Sequence, residues 1–163
     1  MVNKVGFLVG VLTLPFVAYM YLPVGRASLP LFLFDDAGRY IGIFGIVTIG
    51  PLVPLVQWWF VTSSTVQLLA GAAIWLFPVL SCLLSFLGVR KPPEAGRKIY
   101  SASFVLLLIP LILLVIDALF FGSIVLHAKY GLGEFIAATG TGFWVYVFDM
   151  ALAIAAAAGY REV

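Results

Sequence analysis

The stretch Arg90-Lys91-Pro92-Pro93-Glu94-Ala95-Gly96-Arg97-Lys98 separates two long apolar segments of this chain. It carries four of the nine basic residues of the protein, and its two adjacent prolines prevent one helix from running through it intact. Lysine and arginine concentrate in short loops on the cytoplasmic side of membrane proteins. The stretch therefore predicts a cytoplasmic loop, 90–98, between two membrane spans. The residues expected to set this topology are Arg90, Lys91, Arg97 and Lys98.

The composition supports a membrane protein. Hydrophobic residues make up 64% of the 163 positions and charged residues 10%, whereas a soluble domain carries roughly 25% charged residues. Apolar runs of about 20 residues recur along the chain, as membrane-spanning helices require. The basic residues fall in loops and form no basic face with interleaved aromatics, which argues against binding to nucleic acid.

Four segments are predicted to span the bilayer, at about 5–22, 66–89, 99–127 and 140–160. Pro78 and Pro110 fall inside the second and third segments, where neighbouring groups can satisfy the carbonyls that proline leaves free. The predicted fold is an all-α polytopic membrane protein, built as one membrane domain over 1–163 around a four-helix transmembrane bundle. Placing loop 90–98 in the cytoplasm puts both termini there too, and it predicts a multi-pass protein of the cell membrane.

The segment 23–65 supports two interpretations. Apolar residues flank the turn-rich Asp35-Asp36-Ala37-Gly38 and include many β-branched and aromatic types, a pattern typical of a β-hairpin. Hydropathy alone would make 41–61 a fifth transmembrane helix. Glycines and prolines in that segment weaken a helix, which favours a small extracellular β-rich loop. The positive-inside rule barely separates the two arrangements, because the basic loop is cytoplasmic in both.

Several short motifs give the chain a resemblance to the claudin superfamily. Gly42-Ile43-Phe44 resembles the Gly-Leu-Trp signature of the first claudin loop, and Trp58-Trp59 lies where the last strand of that loop would be. The resemblance implies four spans, a β-rich first extracellular loop and a short basic cytoplasmic turn. The paired loop cysteines of that family and the signature tryptophan are absent here. What the resemblance implies is a four-helix bundle with an apolar outer face suited to contacting another molecule.

Asp117 and Asp149 are the charged residues deep inside the apolar segments. Acids within a membrane are costly and are commonly functional. Each lies about ten residues from the predicted outer end of its span, so the two are expected at similar depth on neighbouring antiparallel helices. Such an intramembrane acidic pair could share a proton, because burial and mutual repulsion both favour the neutral form. The structural alternative is two neutral acids that bond to backbone or hydroxyl groups.

Small residues indicate where helices approach each other closely. Gly6 and Gly10 form a GxxxG motif in the first predicted span, and Ala151, Ala155 and Gly159 form a stripe on the last. Such residues allow close helix packing. For the stripe, we expect packing within the chain, with a partner protein as the alternative.

No motif for catalysis or cofactor binding is present in the sequence. One histidine (His127) and one cysteine (Cys82) exclude most metal sites and nucleophilic arrangements. We therefore expect no enzyme activity, no metal and no cofactor. The first hypothesis is a protein that mediates membrane-protein or cell-cell association through its first extracellular loop, by self-association or with other membrane proteins. The alternatives are an accessory subunit of a respiratory or transport complex and a small proton or cation transporter using Asp117 and Asp149.

Overall fold

The described part of the chain forms five α-helices and six β-strands, as given by a computed structural model. The structure describes residues 2–17, 21–24, 27–30, 33–36, 39–41, 45–49, 54–58, 64–122 and 129–159. The helices are α1 (Lys4–Val17), α2 (Thr65–Gly88), α3 (Pro93–Ile116), α4 (Leu132–Ala138) and α5 (Thr141–Ala158). The strands are β1 (Tyr21–Val24), β2 (Ala27–Pro30), β3 (Phe34–Asp36), β4 (Arg39–Ile41), β5 (Gly45–Ile49) and β6 (Pro54–Trp58).

The four longer helices form a bundle in which each helix has two neighbours. α1 packs on α2, α2 on α3, α3 on α5, and α5 closes the ring on α1. Three helical stretches in the described part of the chain are long and apolar enough to cross a membrane: Thr65–Gly88, Pro93–Phe121 and Thr141–Ala158. The prediction of apolar helices on both sides of the basic stretch is confirmed, and the chain has the character of a helical, membrane-embedded protein.

The bundle has an apolar core that includes several polar side chains, and its outer surface is apolar as well. Buried polar side chains include Thr13, Ser81, Ser85, Ser103 and Asp149. Large apolar side chains cover the outer surface, among them Leu69, Leu83, Leu87, Phe120 and Phe148. A soluble monomer rarely exposes so much apolar surface. Lipid is the solvent that suits this outer surface.

The first helix is shorter than the predicted span 5–22. It ends at Val17, and strand β1 begins at Tyr21. Pro23 accounts for part of the difference, because a proline biases the residue before it towards extended backbone. The fourteen residues of α1 measure about 21 Å at 1.5 Å per residue, less than the roughly 30 Å of a bilayer core.

The third helix also ends earlier than predicted. α3 continues through a π-helical turn, Asp117–Phe121, and stops at Gly122, whose φ of 64° is left-handed. Glycine adopts this conformation without steric cost and commonly ends helices. The amide of Gly122 donates a 2.6 Å hydrogen bond to the carbonyl of Asp117. The predicted end of this span at residue 127 lies outside the described residues.

The strands between α1 and α2 form two antiparallel sheets. β1 pairs with β2, and β3-β4-β5-β6 form a four-stranded meander in chain order. β5 and β6 lie within 41–61, the segment that hydropathy alone would make a fifth span. The meander is fixed to the helices at its β3 edge: α4 contacts β3, and the amide of Gly140 donates a 2.9 Å hydrogen bond to the carbonyl of buried Leu33. β6 is the opposite edge strand.

Candidate functional site

A buried polar contact joins the first and last helices of the bundle. Thr13 of α1 and Asp149 of α5 are both fully buried, and the Thr13 hydroxyl lies 2.6 Å from Asp149 Oδ2. The same hydroxyl lies 2.8 Å from the carbonyl oxygen of Val9, one turn earlier. This pair of side chains, Thr13 and Asp149, is the strongest candidate for a functional polar group inside the bundle.

Thr13 donates in both of these contacts. A threonine hydroxyl has a single hydrogen, so that hydrogen is shared between the carbonyl oxygen of Val9 and Oδ2 of Asp149. The hydroxyl thereby links the backbone of α1 to a side chain of α5.

The surroundings of Asp149 are polar on one side only. Oδ1 of Asp149 is buried and has no hydrogen-bond partner among the residues that the structure describes. Cys82 of α2 and Tyr146 of α5 are near enough to the Asp149 carboxyl to interact with its charge. The Tyr146 hydroxyl is nevertheless bonded elsewhere, because it donates to the carbonyl of Leu107 at 2.9 Å. No group of three or more potential metal ligands occurs in the described ranges.

The two predicted intramembrane acids are both buried. Asp149 contacts Thr13 of α1, and Asp117 begins the π-helical turn that ends the third span. The expectation that the two acids lie at one depth and share a proton stays a prediction.

A second buried polar cluster joins α2 to α3. The hydroxyls of Ser85 and Ser103 lie 3.0 Å apart, Ser81 donates to the carbonyl of Ser103 at 3.2 Å, and the Tyr100 hydroxyl donates to the carbonyl of Ser85 at 2.9 Å. Small hydroxyl residues let two helices approach closely and bond across the contact. This cluster explains the contact between α2 and α3 and needs no ligand.

Asn3 holds three helices together at the end of the bundle where α1 begins and where α2 and α5 end. Its side-chain oxygen accepts a 2.8 Å hydrogen bond from the amide of Gly6, which caps the first turn of α1. Its side-chain nitrogen donates to the carbonyl of Ala156 in α5 at 3.1 Å. Its backbone amide donates to the carbonyl of Val89, just after α2, at 3.0 Å. The position of α1 at this end of the bundle is thereby fixed.

The four predicted topology residues are exposed at this same end: Arg90, Lys91, Arg97 and Lys98. Lys4 at the start of α1 is also exposed there. Glu94 lies in the first turn of α3, which begins at Pro93, so the second part of the predicted loop 90–98 is helical. The end of the bundle at which α1 and α3 begin and α2 and α5 end is therefore strongly basic, the distribution expected of a cytoplasmic face.

The small residues divide into a buried pair and an exposed stripe. Gly6 packs against the ring of Tyr100 and Gly10 against the ring of Phe86, so the GxxxG motif serves contacts within the bundle. By contrast, Ala151, Ala155 and Gly159 are exposed. The expected packing of this stripe within the chain is wrong, because α5 buries another face. That face consists of Gly142, Tyr146, Asp149, Met150, Ala153 and Ala156.

The claudin-like loop positions fall mostly beyond the described part of the chain. Trp58 is the last residue of β6, whereas Gly42, Ile43, Phe44 and Trp59 lie outside the described residues. His127 also lies outside them. Cys82 is a buried free cysteine whose thiol lies 3.6 Å from the carbonyl of Gly10, consistent with a small packing residue.

Sequence reasoning missed the polar residues that hold the helices together: Asn3, Thr13, Ser81, Ser85, Tyr100, Ser103 and Tyr146. A signal for some of them is present. Ser81 and Ser85 are four residues apart, which places them on one face of a helix, and a shared face of hydroxyls in an apolar span indicates a helix contact. Thr13 shows no such spacing, and only the fold brings it to Asp149.

Comparison with known proteins adds no identity to this geometry. No protein-family model, no curated protein sequence and no solved structure matches the chain. The function therefore has to be argued from the residues themselves.

Proposed function

We propose that this protein is a non-enzymatic, claudin-like membrane protein that associates with a second copy of itself through its strand-rich segment, 23–65. Its four longer helices cross the bilayer, with α1 as a short first span. The basic end faces the cytoplasm, and the segment 23–65 lies on the opposite, extracellular side. The β5–β6 ladder provides the contact surface.

The register of β5 and β6 carries this proposal. Val47 pairs with Val56, Gly45 with Trp58 and Ile49 with Pro54. Because positions along a strand alternate between the two faces of a sheet, these six positions share one face, and they are all apolar or glycine. The other face of the ladder is mixed, since Gln57 and Thr48 belong to it. The same face of the sheet becomes polar only at Asp35 on β3. An apolar patch of this kind on β5 and β6, outside the lipid, requires a cover, which a partner molecule can provide.

The attachment of the sheet supports the same function. The helices contact the meander at its β3 edge, through α4 and through the bond between Gly140 and Leu33. β6 is at the far edge. An edge strand offers unpaired backbone groups to another chain. The apolar face and the edge strand are therefore adjacent to each other and remote from the fixed edge.

The substitution Val56→Lys tests this proposal, with Gln57→Lys as its matched control. Both changes add one lysine to β6, but on opposite faces of the ladder. We expect Val56→Lys to weaken self-association by about tenfold or more, which is roughly 1.4 kcal/mol, because it places a charge in an apolar contact. Energy transfer between donor- and acceptor-labelled copies, reconstituted in liposomes over a range of protein-to-lipid ratios, measures the effect.

The control defines the outcomes of the experiment. Gln57→Lys should associate within about twofold of the wild type, since a rim charge contributes little to affinity. Equal association of Val56→Lys and the wild type would contradict the proposal, as would a wild-type protein that stays monomeric at every ratio. A monomer that co-purifies with larger membrane proteins in fixed proportion would favour the accessory-subunit alternative. Cation flux abolished by Asp149→Asn would favour the transporter.

A further inference from the structure

A cleft at the basic end of the bundle lies between the start of α1 and the end of α2. Its volume is about 740 Å³, within the range of roughly 300–1,000 Å³ that small-molecule sites occupy. Two of its lining residues are cations, Lys4 and Arg90. The remaining lining residues are apolar: Val2, Phe7, Phe86, Leu87 and Val89.

The two cations extend from a braced backbone. The amide of Asn3 donates to the carbonyl of Val89 at 3.0 Å, so the residues just before Lys4 and Arg90 are hydrogen-bonded to each other. The rings of Phe7 and Phe86 meet edge to face below them, with centroids 5.8 Å apart. Because these contacts lie within the protein, the cleft exists before any ligand arrives.

The cleft lies where an apolar surface gives way to a charged one. Phe7 is 51% exposed and Leu87 is 62% exposed, and both belong to helices whose outer surfaces face lipid. Lys4 and Arg90 are exposed at the helix ends immediately next to them. In a membrane this level is the boundary between hydrocarbon and headgroups, where lysine and arginine meet phosphate.

The charge of the cleft indicates the kind of ligand that it can bind. No acidic residue lines it among the described residues, whereas the neighbouring cleft at the same end places Glu94 beside Arg97 and Lys98. Two cations above an apolar floor match a ligand that is anionic at one end and hydrocarbon at the other. We propose that this cleft binds one anionic phospholipid, with its phosphate between Lys4 and Arg90 and an acyl chain along Phe7 and Leu87.

The test compares Lys4→Gln and Arg90→Gln, singly and together, with Lys91→Gln as the matched control. Lys91 follows Arg90 directly and is exposed, but it does not line the cleft. Purified protein in a neutral detergent is titrated with long-chain phosphatidylglycerol, and bound lipid is counted by native mass spectrometry. Each cleft substitution should weaken binding about fivefold, because that is the usual contribution of one lysine or arginine to binding at an anionic membrane surface. The double variant should bind more than tenfold more weakly than the wild type.

Further arms of the experiment separate a lipid site from a phosphate site and from general charge attraction. Phosphatidylcholine should bind far more weakly than phosphatidylglycerol, and glycerol phosphate, which has no acyl chain, should not bind at the same concentrations. The inference is overturned if glycerol phosphate binds as tightly as the lipid, if Lys91→Gln loses as much affinity as Arg90→Gln, or if the double variant binds like the wild type.

All variants change exposed residues, and an unchanged unfolding midpoint verifies that they fold. This inference depends on the membrane placement of the helices but not on self-association, so either can fail alone.

Discussion

Replacing Gly6 with alanine is expected to destabilise the bundle by about 3 kcal/mol or more, which combines the cost of overpacking with a lost buried hydrogen bond. A Cβ atom at this position would fall on the ring of Tyr100. That ring cannot move aside easily, because it is 0% exposed and its hydroxyl is bonded to the carbonyl of Ser85. Moving the ring would break the hydrogen bond that joins α3 to α2. It would also disturb the packing of α1 against the ring.

Two other glycines supply the controls for this prediction. Gly133→Ala places its Cβ in open space. It should raise the free energy of unfolding by about 0.5 kcal/mol, because alanine favours a helix more than glycine does. Gly10→Ala meets the Phe86 ring at 2.9 Å, but Phe86 is 37% exposed and can shift, so an intermediate loss is expected. Reversible unfolding in mixed detergent micelles measures all three. The packing account is wrong if Gly6→Ala unfolds at the same midpoint as Gly133→Ala.

Replacing Thr13 with valine, which has nearly the same shape, is expected to destabilise the protein by about 2–3 kcal/mol. The substitution removes the hydroxyl that contacts Asp149 Oδ2 at 2.6 Å. Oδ1 has no partner among the described residues, so the variant would bury a carboxyl without a described partner for either oxygen. An unsatisfied buried polar group costs more than the hydrogen bond that it replaces contributes.

The double substitution Thr13→Val with Asp149→Leu should recover most of this loss. Removing both partners of a buried polar contact is close to neutral when the shapes are kept. Asp149→Leu alone should also be mild, since Thr13 keeps the carbonyl of Val9 as an acceptor. Unfolding free energies of the four proteins form a double-mutant cycle. A double variant as unstable as Thr13→Val alone would show that the pair does not act as one unit.

The apolar character of the helices could be predicted from the sequence, because it follows from composition and length. The basic stretch correctly marked a break between α2 and α3, since adjacent prolines and a cluster of cations suit no span. The buried state of Asp117 and Asp149 was predictable on the same grounds. The GxxxG motif correctly indicated close approach at Gly6 and Gly10, but it could not indicate that aromatic rings, and not a helix backbone, fill the space.

The contact between Thr13 and Asp149 could not be predicted, because it depends on how α1 and α5 pack against each other. The common depth expected of Asp117 and Asp149 stays a prediction. The stripe of Ala151, Ala155 and Gly159 had the spacing of a helix contact, but spacing does not tell which face of α5 turns inward. That face is chosen by Tyr146 and Asp149, whose polar atoms need partners inside the bundle.

The central claim is that the segment 23–65 lies outside the bilayer, on the side opposite the basic loop. Single cysteines placed by Thr48→Cys and Lys91→Cys test it most directly, in a Cys82→Ala background that removes the native thiol. Intact cells or oriented vesicles are treated with a maleimide reagent that cannot cross the membrane. The account predicts that the cysteine at position 48 reacts from outside and that the one at position 91 reacts only after the membrane is opened. Protection at position 48 until detergent dissolves the bilayer, or reaction of both positions from the same side, would contradict it.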